Sequence, residues 1–120
     1  KRAILLPVSA PFHCSLMASA QKNMMNLISD LNIEKPIVPL VSNITSIPTQ
    51  NIEEIRKNLI NQITGRVRWR ESILFMKKSG IQKIYEIGPG RVLCNLIKRI
   101  VDNVEQENIS KVEDLFKLRN

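Results

Sequence analysis

Aromatic side chains are scarce in this 120-residue chain, 4% of the total, with one tryptophan, one tyrosine and three phenylalanines. So few cannot form a stacking platform for bases, and no zinc-finger or RNP-like pattern makes up for them, which argues against nucleic acid as a partner. Glycine is also rare. None of Gly65, Gly80, Gly88 and Gly90 brackets a serine, so the chain has no Gly-x-Ser-x-Gly elbow and supplies no nucleophile of that kind. The two cysteines, Cys14 and Cys94, have neither metal-ligand nor C-x-x-C spacing. They read as small packing residues in a reducing compartment, so a cytoplasmic protein without a metal is expected. No apolar run approaches a membrane-spanning length, and no charged head precedes a hydrophobic leader.

Ordinary globular material remains: 43% hydrophobic and 24% charged residues. The chain opens on Lys1-Arg2-Ala3-Ile4-Leu5-Leu6, without an initiator methionine and already entering an apolar stretch. That start creates the expectation of a piece of a larger protein. Eighteen basic residues against 11 acidic ones give a net charge of +7, most densely at Arg66-Val67-Arg68-Trp69-Arg70. A basic surface of this kind suits an acidic protein partner, and a non-catalytic binding module for an acidic protein or nucleic acid is the alternative to the enzyme reading below.

Strand and helix signals alternate along the chain. Ala3 to Ser9 reads as a strand. From Ser15, Leu16, Ala20, Met24, Leu27, Ile28 and Leu31 recur at helical spacing, with the methionines in the core stripe. Pro36 ends that pattern, and Ile37 to Val41 reads as a short buried strand. Asn51 followed by Glu54 predicts a helix start of capping-box type, with Gly65 ending the helix. A third helix is expected around Trp69, Ile73 and Met76 up to Gly80, then a strand over Ile81 to Ile87 and a fourth helix from Val92 to Val101. Beyond Asp102 the pattern is polar and weakly periodic, reading as a peripheral tail with a turn of helix near Val112 to Phe116. Gly88-Pro89-Gly90 between strand and helix could cradle a phosphate, but it lacks the rest of a nucleotide fingerprint and reads better as a tight turn.

The only histidine, His13, lies where the first strand gives way to the first helix, after Pro7 and Pro11. A side chain at that end of a strand faces the crevice where open α/β sheets do chemistry, and imidazole moves protons near neutral pH. Ser9, Cys14 and Ser15 are too close in sequence to serve as its partner. His13 therefore reads as half of a catalytic pair.

The segments Pro7-Val8-Ser9-Ala10-Pro11-Phe12-His13-Cys14-Ser15-Leu16-Met17, Pro39-Leu40-Val41-Ser42-Asn43, Gln62, Val67-x-Trp69 and Tyr85-Glu86-Ile87-Gly88-Pro89-Gly90-x-Val92-Leu93, in that order, resemble the carboxyl-terminal part of the malonyl-CoA:acyl carrier protein transacylase family. Arg66 stands where many relatives carry proline. The resemblance implies the α/β class, specifically the closing portion of an α/β-hydrolase-like acyltransferase domain built around a mainly parallel sheet. Residues 1–12 would end a small ferredoxin-like subdomain, 13–101 would belong to the large one, and 102–120 would be a peripheral tail. It implies malonyl transfer from malonyl-CoA to the phosphopantetheine thiol of acyl carrier protein through a malonyl-serine, with no permanently bound cofactor. His13 matches the catalytic histidine, and Gln62 matches the residue whose main-chain carbonyl orients it. The serine, a carboxylate-binding arginine and an oxyanion-hole glutamine would lie in a missing amino-terminal part. Arg66, Arg68 and Arg70 become the candidate surface for the acidic carrier.

Overall fold

Helical spacing after Ser15 becomes helix in the computed structural model, which describes residues 10–119. The expected strand over Ala3 to Ser9, and with it the first part of the His13 motif, lies outside those residues. The chain divides into two compact units, Lys1–Arg68 and Trp69–Asn120. Among the described residues no helix is long and apolar enough to cross a membrane.

In the first unit a 3-10 turn, Ser15–Met17, leads into α1, Ala18–Asp30. Two-residue strands β1, Leu40–Val41, and β2, Pro48–Thr49, pair antiparallel and precede α2, Ile52–Gln62. The expected capping signal forms at Asn51, whose side chain accepts from the Glu54 amide at 3.0 Å. Its second half is relayed. Glu54's carboxylate takes the Thr49 hydroxyl, and Thr49 Oγ1 in turn accepts from the Asn51 amide at 3.1 Å, so an orphan donor at the helix start is satisfied through an intermediary.

Two expectations change in this unit. Ile37 and Val38 are exposed and lie outside the strand, because Gln50 Nε2 donates to the carbonyls of Pro36 and Ile37 at 2.9 and 3.2 Å and Pro36 and Pro39 offer no amide to a ladder. The apolar stripe of α1 buries only Ile28, while Leu16, Met24, Leu27 and Leu31 are exposed. One packed neighbour, α2, covers one side of a helix whose apolar face is wider than that.

The second unit holds α3, Trp69–Lys78, β3, Lys83–Ile87, α4, Val92–Ile97, β4, Glu105–Ile109, and a 3-10 segment, Val112–Arg119. Gly80, at φ 88°, ends α3 as expected: its amide bonds Lys77 O and the Ile81 amide bonds Met76 O, the paired pattern of a left-handed helix stop. The strand consequently begins at Lys83, after Ile81. The fourth helix is shorter than expected, closing at Ile97 and continuing as turns to Val101.

β4 is the larger correction, since its polar sequence reads as tail. It pairs in parallel with β3, Lys83 opposite Glu105 and Ile87 opposite Ile109, with α4 making the crossover that parallel strands require. Lys83 Nζ bridges Glu105 and Glu107 at 2.9 and 3.0 Å, so charge along the ladder does what apolar alternation does elsewhere. Ile73, Ile97, Val101 and Val104 form the buried cluster, with Trp69, Met76, Ile84 and Ile100 packed against it. The α/β class stands, its parallel pair accompanied by a short antiparallel one.

Candidate active site

An α-helix leaves its last carbonyls without intrahelical donors. In the first unit those of α2 are met by side chains from the α1 segment. Ile60 O accepts from Gln21 Nε2 at 3.0 Å, and Gln62 O lies 2.8 Å from His13 Nδ1. At the other end, Arg56 of α2 donates through Nη1 to Ile28 O and to Ser29 O at 3.0 Å, and through Nη2 to Leu31 O at 3.0 Å. The two helices thus run antiparallel, each capping the other's carboxyl end. His13 sits at the head of this arrangement.

His13 is exposed and has φ of 58°, a left-handed conformation uncommon for a residue with a Cβ and costing on the order of 1 kcal/mol. The turn is held by the Phe12 amide on Ala10 O at 3.0 Å and by Cys14 Sγ donating to Pro11 O at 3.1 Å. Cys14 is therefore directed at the backbone of its own loop.

A main-chain carbonyl can only accept, so the 2.8 Å contact requires the proton on Nδ1 and leaves Nε2 with its lone pair. The Gln62 amide lies beside it, Nε2 at 3.5 Å from Nδ1 and donating to Gly65 O at 3.2 Å, while Oε1 is buried without a partner. Facing a carbonyl, the amide must present nitrogen. A cavity of about 320 Å³ lies elsewhere on α2, against Thr45, Lys57, Asn58 and Asn61, and His13 does not line it.

Arg66, Arg68 and Arg70 are exposed, but they divide between the units, Arg70 being the second residue of α3. The Arg68 amide donates to Asn43 O at 2.7 Å, which ties the segment after α2 to the loop over residues 42–46. In the second unit Glu86 settles the role of the glycine turn. Its carboxylate accepts from the amides of Leu93 and Cys94 at 2.9 and 3.0 Å, so the donors that would cradle a phosphate are taken by the chain itself. Those bonds, that from Cys94 foremost, hold the Glu86 carboxyl below its ordinary value, and burial beside Glu86 pushes the Cys94 thiol up, away from reactivity. Among the described residues no three His, Cys, Asp or Glu side chains converge as metal ligands.

Sequence reading missed Gln21, Arg56, Gly65 and Glu86. All four act on or through main-chain groups, which carry no residue signature. The Glu-x₆-Leu-Cys spacing across a Gly-Pro-Gly turn was the one available signal, an acid placed to reach a helix start.

No family model matches the chain. It is 36% identical over 118 residues to the malonyl CoA-acyl carrier protein transacylase of Synechocystis sp., a match covering 98% of this chain and 40% of that protein. The crystal structure of acyl-carrier-protein-S-malonyltransferase from Bartonella henselae superposes with a TM-score of 0.89 at 42% identity, over 98% of this chain and 38% of that one. A structure of a type II PKS acyl-carrier protein in complex with its malonyl-transacylase matches with a TM-score of 0.87 at 35% identity, over all of this chain and 40% of that one. These relatives and structural neighbours are malonyl-CoA:acyl carrier protein transacylases, and the chain spans about two-fifths of their length, their carboxyl-terminal part.

Proposed function

We propose that this chain supplies the general acid–base of a malonyl-CoA:acyl carrier protein transacylase, with His13 as the catalytic residue and the Gln62 main-chain carbonyl as its orienting group. The observation that carries the reading is the 2.8 Å contact between His13 Nδ1 and Gln62 O at the end of α2, which reserves Nε2 for proton transfer. The resemblance in sequence and fold supplies the reaction.

In the first half-reaction Nε2 takes the proton of a serine hydroxyl as its oxygen attacks the thioester carbonyl of malonyl-CoA. The C–S bond breaks, and the imidazolium returns the proton to the departing thiolate. In the second half Nε2 takes the proton of the carrier's phosphopantetheine thiol, whose sulfur attacks the malonyl-serine ester, and protonates the leaving serine oxygen. Each cycle returns the imidazole neutral with the proton on Nδ1. Such acid–base work contributes about 10²–10⁴-fold.

The serine, the malonyl-binding arginine and the oxyanion-hole glutamine come from the remaining part of the enzyme, so this chain alone transfers no malonyl group. Residues 13–101 then belong to the large subdomain, joined there by β4 through its pairing with β3, and residues 1–12 close the small one. No bound cofactor is required. The exposed Leu16, Leu27, Ile37 and Val38 are accounted for as surface that the rest of the enzyme covers. Arg66, Arg68 and Arg70 offer positive charge to an acidic carrier, supported by the carrier complex formed by a structural relative.

The experiment compares His13→Ala with Gln62→Ala in the complete enzyme. His13→Ala should cost on the order of 10²-fold or more in malonyl transfer. Gln62→Ala keeps the carbonyl and removes a side chain whose oxygen has no partner, so its loss should stay within about tenfold. A folded His13→Ala enzyme of undiminished rate would sink the proposal, and a Gln62→Ala loss as deep as that of His13→Ala would replace the carbonyl by the amide as the orienting group.

A further inference from the structure

The geometry points to Gly65 as a positioning residue for His13, acting through the last turn of α2; the inference rests on the role proposed above for His13. Gly65 lies three residues beyond Gln62 and holds both neighbouring groups. Its amide donates to Asn61 O at 2.9 Å, and its carbonyl accepts from Gln62 Nε2 at 3.2 Å. Asn61 O belongs to the peptide unit whose nitrogen is that of Gln62, so anything that displaces this carbonyl tilts the unit carrying Gln62 O. Glycine is required there by space. Its φ lies outside the left-handed region, but a Cβ would fall 2.0 Å from Ile44 Cδ1 and 2.7 Å from Asn61 O. The Ile44 side chain can turn away. The loop behind it is pinned by the Ser46 amide on Ser42 O at 2.8 Å and the Arg68 amide on Asn43 O at 2.7 Å, so the remaining strain falls on the helix end.

Gly65 also controls a competitor. Gln62 Nε2 stands 3.5 Å from His13 Nδ1, and the bond that one of its two hydrogens makes to Gly65 O holds the amide at that distance. Once that bond is lost, the amide can donate to Nδ1, which stabilises the tautomer with the proton on Nε2, the nitrogen that must accept. Gly65 thus aims the carbonyl that selects the working tautomer and restrains the amide that would select the other.

The test uses the complete enzyme in an Ile44→Val background, which removes the methyl at 2.0 Å and leaves the carbonyl at 2.7 Å as the one close approach, Ile44 Cγ1 being at an ordinary 3.4 Å, so that adding Gly65→Ala strains the helix end without overfilling the loop. Relative to Ile44→Val alone, Ile44→Val/Gly65→Ala should lose ~10-fold or more in kcat while KM for malonyl-CoA changes by less than about twofold. The ¹⁵N shifts of the His13 ring should show the Nε2–H tautomer. Adding Gln62→Leu deletes the competing donor and should return the Nδ1–H tautomer and part of the rate. A folded Ile44→Val/Gly65→Ala enzyme with an unchanged ring tautomer and kcat overturns the inference. Full activity in His13→Ala, a separate measurement, would instead remove the reading on which it rests.

Discussion

Ile73 and Ile97 of the second unit are wholly shielded from solvent, with Val101 and Val104 beside them, whereas the first unit buries only Ile28 and Ile55 among the apolar side chains of its described residues. What the first unit has instead is directional. Gln21, His13 and Arg56 reach across between α1 and α2 onto carbonyls that helix geometry leaves unpaired. Burying an isoleucine contributes about 1.5–3 kcal/mol and is indifferent to a few tenths of an ångström, while a hydrogen bond adds a net of about 0.5–1.5 kcal/mol and is lost when misaligned. Stability and placement are thus served by different forces in the two units. The candidate base belongs to the one governed by placement.

The largest expected effect tests the apolar side of this contrast. Ile97→Ala in the complete protein should lower the unfolding free energy by ~2–5 kcal/mol, because its fully enclosed site leaves a cavity that neighbours cannot collapse into. Leu27→Ala, at a position of α1 that is exposed here and covered by the rest of the enzyme in the reading proposed above, should cost less, ~1–2 kcal/mol. Urea denaturation of both variants decides it, and equal losses would mean that the α1 face is as deeply packed in the complete protein as the α3–α4 cluster.

What could be read from the sequence follows the same division between local and distant causes. The start of α2 and the stop of α3 were legible because Asn51 with Glu54, and Gly80, act on backbone within a few residues of themselves. The burial alternation over β3 was not, since Glu86 is the buried residue and Ile87 is exposed: a carboxylate drawn inward by two amides of α4 reverses the pattern that hydrophobicity alone predicts. β4 escaped because Glu105 and Glu107 are explained only by Lys83 on the strand it joins. At the candidate site, His13 stood out by its chemistry and position. Gln62, 49 residues away, entered only through family resemblance, because an accepting carbonyl leaves no mark on residue identity. Arg56 and Gln21 were illegible for the same reason.

Glu86 sharpens the comparison, being a directional clasp inside the apolar unit. Its folded-state pKa lies below the ordinary 4.5, so the stability it adds is fully present above that ordinary value and is lost as pH falls through the lowered one. Glu86→Gln stays neutral throughout and turns a donor toward one of the two amides. The Tm difference between wild type and Glu86→Gln should therefore be widest near neutral pH and narrow progressively below pH ~4.5. Parallel curves from neutral to acid pH would show that the carboxylate's charge contributes nothing to holding α4.

The smallest effect probes the clasp that defines the first unit. Arg56→Ala removes three donor contacts from the end of α1, but the freed carbonyls of Ser29 and Leu31 lie where water can reach them, so the net loss should be only ~1–2 kcal/mol. Arg56→Lys should recover little of it. An ammonium is a compact charge on a flexible stem and cannot span carbonyls of Ile28, Ser29 and Leu31 as the planar guanidinium does. Amide hydrogen exchange reports where the loss falls: faster exchange in the last turn of α1 with α3 unchanged is the expected outcome. Uniform acceleration through α1 and α3 would mean that the two units unfold as one and that the division between clasped and core-held helices has no energetic counterpart.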